Sequence, residues 1–183
     1  VSNIEMRAAS ADEFEVGRAN MSEIAASVGL QDRVRYLCFC LGEEEFAIPL
    51  LQVKTVTGLP DVTRVPNTPG YFMGIMNLRG QIISVLDLRK KFNVKPVDRG
   101  ETAVIIVEVG SHQIGLVVDA INSVLSPAHE ELQPRPEMMN GKSSEFVTSV
   151  YAIEKRIVLI LDVLKALGAD DKQAIEMLGS RAA

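Results

Sequence analysis

The chain has no tryptophan, two cysteines and two histidines, and aromatic residues make up 5% of its 183 positions. Each scarcity narrows what the protein can do. With so few aromatic rings, the stacking platforms of a single-strand nucleic-acid binder are largely missing. A net charge of −5, from 19 basic and 24 acidic residues, disfavours a general affinity for phosphate backbone. No apolar run approaches the roughly 20 residues that span a bilayer, so no direct membrane insertion is expected. The opening stretch VSNIEMRAASADEFEVG mixes acids throughout and lacks the apolar segment of a secretion signal. Two thiols without such a signal fit a reducing cytoplasm. Cys38 and Cys40 share one face if they lie on a strand, where they are poorly placed to pair with each other. Burial as small hydrophobes is the expectation for both. A structural zinc site wants four Cys or His ligands, and His112 and His129 offer no such spacing.

What remains is a globular balance of 47% hydrophobic and 23% charged residues, enough for one domain or two very small ones. Residues 1–33 are rich in Ala, Ser and acids and read as a flexible tail. A short helix is predicted inside it, with Asn20 as cap, Glu23 three residues on, and Met21, Ile24, Ala25 and Val28 on one face up to Gly29. From Val34 the pattern turns to strands. RYLCFCLGEEEFAIPL reads as a hairpin about Gly42, and GYFMGIMNLRGQIISVLDL as strand, turn, strand, with Asp87 capping a short helix. The second half repeats this order. TAVIIVEVGSHQIGLVV is a hairpin about Gly110, and KRIVLILDVLKAL runs from strand into Asp162 and a short helix. Gly42 and Gly110 stand 68 positions apart, Asp87 and Asp162 75 apart. Self-similarity of this kind predicts two copies of a small β-rich unit sharing a core. The last residues, DDKQAIEMLGS, predict a helix from Asp170 or Asp171 to Gly179.

Catalytic motifs do not assemble. Gly141-Lys142-Ser143 resembles the end of a phosphate loop, but the first glycine of that motif would fall on Pro136, which has no backbone N–H to offer. No G-x-S-x-G elbow accompanies either histidine. Glu43, Glu44 and Glu45 read as solvated hairpin-turn acids. Arg89, Lys90, Lys91 and Lys95 read as the solvated face of a helix. Neither an enzyme nor a cofactor site is expected.

The whole pattern closely resembles the CheW family, the coupling proteins of bacterial chemotaxis. YLCFCLGEEEFAIPLLQVKTV, VTRVPNTPGYFMGIMNLRGQIISVLDLRKKF, VGSHQIGLVVDAINSVL and RIVLILDVLKAL carry the likeness, in order, over residues 34–167. The resemblance implies a mainly β fold: two SH3-like five-stranded β-barrels around a shared hydrophobic core, with short helices and a C-terminal helix or tail at 168–183. It also implies a non-enzymatic scaffold. Its partners would be the regulatory domain of the histidine kinase CheA and the cytoplasmic tip of methyl-accepting chemotaxis receptors, met in the cytoplasm at membrane-associated arrays. Carried over by position, Val53 and Val124 would line a receptor groove, with Gly74 close by. Val62 and Thr63 would lie near the kinase domain, and Asn77 and Arg79 of N-L-R-G near the partner surfaces. Gly115 would be structural.

One departure is Thr55, where many family members carry an acid able to pair with that arginine. Arg79 then either takes another acid, Glu43 to Glu45 being candidates, or stays free for a partner. Two alternatives stand beside the scaffold: a CheW-like domain cut from a CheA kinase or a CheV-type adaptor, and a small nucleotide-binding enzyme.

Overall fold

Two hairpins of this chain bury both of their faces. All six residues of β1 (Tyr36–Leu41) are buried, and so are Val104 to Val107 in β6 (Ala103–Val109). A strand with no solvent face has no polar alternation to show, which is why both read as near-continuous apolar runs. The structure is a computed structural model and describes residues 33–95, 97, 102–110, 112–136, 145–168 and 171. The helix predicted over 20–29, the Gly141-Lys142-Ser143 loop and, Asp171 apart, the C-terminal helix lie outside these residues. Both sheets belong to the unit Val34–Ala183.

The fold is mainly β, with two sheets of SH3-like type. One has five strands in the order β3 (Val53–Gly58), β6, β7 (His112–Val118), β5 (Gln81–Asp87) and β4 (Phe72–Leu78). The other runs β8 (Ala120–Leu125), β1, β2 (Glu44–Pro49), β11 (Arg156–Leu161), β10 (Val147–Ile153) and β9 (Leu132–Pro134). It has six strands where five were expected, because the three-residue β9 adds to β10.

The sequence repeat is present but does not map onto the sheets one to one. Hairpin β1–β2 leads the first copy yet joins the sheet of the second, with β1 antiparallel to β8 and β2 parallel to β11. Hairpin β6–β7 leads the second copy and joins the first sheet, antiparallel to β3 and parallel to β5. Each copy therefore lends its hairpin to the other. The two glycines at the hairpin tips hold left-handed φ values of 61° at Gly42 and 60° at Gly110, as tight turns require. The two aspartates stand at the strand-to-helix transitions, as predicted. Asp87 caps α1 (Leu88–Lys91) through the Arg89 N–H at 3.0 Å, and Asp162 caps α2 (Val163–Ala166) through the Leu164 N–H at 2.9 Å.

Exchange of hairpins produces three apolar layers. Leu37, Phe39 and Leu41 from one lent hairpin meet Ile105, Val107, Ile114 and Leu116 from the other in a central cluster that both sheets share. The opposite face of β6 lines its own sheet's interior with Met76, Ile83, Val85 and Val117. The opposite face of β1 does the same with Ala47, Val158 and Ile160. Each fully buried aliphatic or aromatic side chain contributes about 1.5–3 kcal/mol relative to exposure. Cys38 and Cys40 fall on this inner face and are buried and unpaired, as expected.

The charged run after β5 departs from expectation. Lys90 and Lys95 are exposed, but the Arg89 and Lys91 side chains are only 16% and 13% exposed. α1 is a single turn lying where the sheets meet, so it has no broad solvent face. Arg89 binds Asp87 and Asp119, while Lys91 reaches Asp171 at 2.5 Å and stacks over the Tyr71 ring at 4.1 Å.

Gly74 is a further fixed point. Its φ is 141°, and a Cβ there would fall 2.0 Å from the Thr63 carbonyl oxygen. That contact exists because Thr63 and Ile75 exchange backbone hydrogen bonds of 2.8 and 2.9 Å across a bulge in β4. Gly74→Ala is expected to cost about 2–4 kcal/mol, as for other strained or overpacked backbone sites. Gly115→Ala should cost less, because the nearest atom to its Cβ is a Val104 methyl at 2.9 Å rather than backbone. Urea denaturation of the two variants checks the order.

Candidate functional site

The two edge strands facing each other across the sheets, β3 and β8, carry the same irregularity. In β3 the register slips at Lys54, so that Val53 pairs with Val107 and Val56 with Ile105. Both partners belong to the shared central cluster, and paired side chains in an antiparallel ladder lie on one face. Strict alternation would have put Val53, Thr55 and Thr57 together; the bulge instead turns Val53 and Val56 to the same side. In β8 the slip is at Asn122, and Ile121 pairs with Phe39 while Val124 pairs with Leu37, again on the central-cluster face. Val53 and Ile121 stand 68 positions apart, as do Val56 and Val124.

The result is an apolar strip on each edge strand. Val53 and Ile121 pack partly against the central cluster, whereas Val56 and Val124 are 41% and 49% exposed. A cleft of about 520 Å³ opens between the strands, lined by Val56, Thr57, Gly58, Thr102 and Ala103 on one side and Ala120 and Ile121 on the other. Thr55 does not join this face. It pairs with Ile106, whose side chain belongs to the interior of the five-stranded sheet. Lys54 stands beside the bulge in an exposed ion pair with Glu108 at 2.5 Å.

A second group of the predicted residues collects at β4 and its tip. Val62 packs against the interior of the five-stranded sheet, Thr63 is exposed at its bridge to Ile75, and Gly74 lies buried beneath it. Asn77 and Arg79 are exposed at the β4–β5 turn. The turn has two residues, closed by the Leu78–Gln81 pair, with φ of 55° at Arg79 and 89° at Gly80. Asn77 Oδ1 accepts the Gly80 N–H at 2.8 Å and stabilises that conformation. Ile82, paired with Asn77, is 49% exposed and adds an apolar spot to the tip.

Among the described residues Arg79 has no ion-pair partner. The acids suggested for it are elsewhere engaged or distant in the fold. Glu45 lies in β2 and pairs with Arg156 at 3.1 Å, while Glu44 and Glu43 are exposed at the β1–β2 end. An unpartnered arginine thus occupies a left-handed position where Asn or Gly would be relaxed.

Over residues 35–171 the chain matches the family described as the CheW-like domain. The chain belongs to the CheW family. It is 35% identical to the chemotaxis protein CheW of Klebsiella aerogenes, covering 87% of this chain and 95% of the relative. It is 30% identical to the probable chemotaxis protein CheW of Rhizobium etli, covering 84% and 99%. Its fold resembles the crystal structure of the scaffolding protein CheW from Thermoanaerobacter tengcongensis, with a TM-score of 0.69 at 26% identity over 78% of this chain and 93% of that one.

Seen within the CheW family, the residues carried over by position divide between two surfaces rather than forming one. Val53 and Val124 belong to the strip between the edge strands. Asn77 and Arg79 belong to the β4 tip, while Thr63 is exposed beside the middle of β4, with Gly74 buried beneath it and Val62 packed inward. The structure adds Val56, Ile121 and Ile82 to these surfaces, none of which the sequence reading named. The first two were within reach, because the 68-residue spacing already relates VKTV to INSV; the bulges that make them co-facial were not.

Two measurements test this geometry. Arg79→Asn should raise stability by about 0.5–1 kcal/mol, since asparagine tolerates the left-handed region at less cost, and chemical denaturation would register it. Burial, reinforced by the nearby Glu45 carboxylate, pushes the Cys38 thiol up to about 11. A thiol held neutral in the fold loses ground as soon as the unfolded chain can ionise. Stability contributed by this group should therefore fall as pH rises from about 9 toward 11, and a thiol reagent at pH 8 should modify Cys38 only on unfolding.

Proposed function

We propose that this CheW-family chain is a non-enzymatic scaffold of chemotaxis signal transduction, joining chemoreceptor tips to the histidine kinase CheA. The observation that supports it most directly is the apolar strip between β3 and β8. An amphipathic helix presents aliphatic residues three and four positions apart, and such a face fits a groove with a half-buried floor and exposed valines at its lip. Receptor tips of that chemistry are the occupant we assign to it. The β4 tip, with Arg79, Asn77, Ile82 and the neighbouring Val62–Thr63 segment, is the surface we assign to the kinase regulatory domain. The role places the chain in the cytoplasm at membrane-associated receptor arrays, and it needs no catalytic group. Each contact is modest: burying the exposed part of a valine is worth on the order of 1 kcal/mol. An array compensates by raising effective concentration. The names of the relatives speak for the scaffold over a kinase regulatory domain or a CheV-type adaptor.

The test is a calorimetric or NMR titration of the purified chain with the regulatory domain of a CheA kinase from the same genome. Saturable binding is expected, weakened at least about tenfold by Arg79→Glu with the midpoint of thermal unfolding within about 2 °C of wild type, since exposed charges contribute little to stability. A well-folded chain that binds no cognate kinase domain would overturn the reading. Equal loss of folding and binding in Arg79→Glu would make the residue structural. On the groove side, Val56→Ser and Val124→Ser should weaken a receptor-tip fragment and leave kinase binding unchanged.

A further inference from the structure

The chain crosses from one sheet to the other at Asp119, which ends the run of β7 and stands directly before β8. Its side chain is 2% exposed and both carboxylate oxygens are engaged. Oδ1 accepts from Arg89 Nη1 at 2.9 Å, and Oδ2 accepts from the Gly42 N–H at 2.6 Å. Its own N–H donates to the Cys40 carbonyl at 3.1 Å. Arg89 is in turn locked by a two-pronged contact with Asp87, Nε to Oδ1 at 2.9 Å and Nη2 to Oδ2 at 3.0 Å. A planar guanidinium held by one carboxylate at two points has little freedom to move relative to the other. The cluster therefore ties three things to one place: the end of β5, the tip of the β1–β2 hairpin, and the residue that leads into β8. Gly42 admits no slack, since a Cβ there would meet a Val94 methyl at 2.7 Å and the Lys95 carbonyl at 2.9 Å.

The fold does not need this cluster to make such a crossing. By the spacings that relate the two halves, the counterpart of Asp119 is Leu51 and that of Arg89 is Leu164. Leu51 is 93% exposed and Leu164 47%, and they hold no ionic junction. Beside Leu51, Gln52 Oε1 is buried without a hydrogen-bond partner. The entry to β3 is held through backbone, with the Leu50 N–H donating to the Arg35 carbonyl at 2.7 Å, whereas the entry to β8 is clamped by charged side chains. One wall of the cleft begins at that clamp, with Ala120 and Ile121 lining it one and two residues beyond Asp119.

We infer that Arg89 is a positioning residue for the groove, acting through Asp119 to fix the start of β8 and hence the placement of Ile121 and Val124 opposite β3. This rests on the assignment of the groove to a receptor helix and extends it to a residue that touches no partner. The variant is Arg89→Lys, which keeps the charge and gives up the two-pronged geometry; Asp119→Asn serves if that variant does not fold. Three readouts are taken on the same folded protein: methyl NMR of Ile121, Val124 and Val62, affinity for a receptor-tip helical fragment, and affinity for the kinase regulatory domain. The expected result is shifted Ile121 and Val124 methyls with Val62 unmoved, a fivefold or greater loss of receptor-fragment affinity, and kinase affinity within twofold of wild type. A purely structural Arg89 would lower the unfolding midpoint and leave both affinities and the groove methyls as they were, and that outcome overturns the inference. Parallel loss of both affinities overturns it as well. If the wild-type chain does not bind the fragment, the groove assignment falls, and the methyl spectra alone decide: unshifted Ile121 and Val124 methyls overturn the positioning role, and shifted ones sustain it.

Discussion

The central apolar layer, where Leu37, Phe39 and Leu41 meet Ile105, Val107, Ile114 and Leu116, is the contact on which the other features of the molecule depend. Those residues come from two hairpins, and each hairpin is paired into the sheet that the other half of the chain completes. Neither sheet can form its full ladder without strands from the opposite half. Folding of the two is thereby coupled, and a chain of this size gains one core in place of two small ones that would each bury too little surface.

The edge strands are shaped by the same layer. An exposed edge invites unwanted pairing, and proteins blunt it with bulges, charges and breaks in the strand. β3 and β8 each have a bulge, at Lys54 and Asn122, and β3 ends on Gly58. The bulges also decide which side chains look across the cleft. A device that protects an edge from pairing here turns two aliphatic residues on each strand toward a common face. The strip proposed above as a docking surface is in this sense a by-product of edge protection.

The two halves are alike in topology and unlike in chemistry. Their hairpin tips, edge bulges and aspartate caps correspond position by position. Their junctions do not: one holds an arginine between two buried aspartates, the other presents exposed leucines at the matching positions. Charged groups of this kind are costly to bury and add little stability over apolar packing, so their value lies in geometry rather than in strength. Fixed direction is what a groove wall needs and what a hydrophobic contact does not supply. Binding by Asp87 and Asp119 also holds Arg89 firmly in its charged form against the opposing effect of burial.

Local sequence determined a good deal. Gly42 and Gly110 marked their hairpins, Asp87 and Asp162 their caps, and Asn77-Leu78-Arg79-Gly80 its turn. These features rest on interactions within a few residues, where φ preference, capping and side-chain period act directly. The repeat was legible for the same reason, since it is a repetition of local signals. Tertiary structure alone decided that the hairpins change places, that Val56 and Ile121 join Val53 and Val124 on one face, and that Arg89 and Lys91 turn inward to buried acids. Each of these depends on pairing between residues far apart in the chain. A register slip of one residue reverses a side chain's face, and a charge is solvated or buried according to which distant carboxylate the fold delivers beside it.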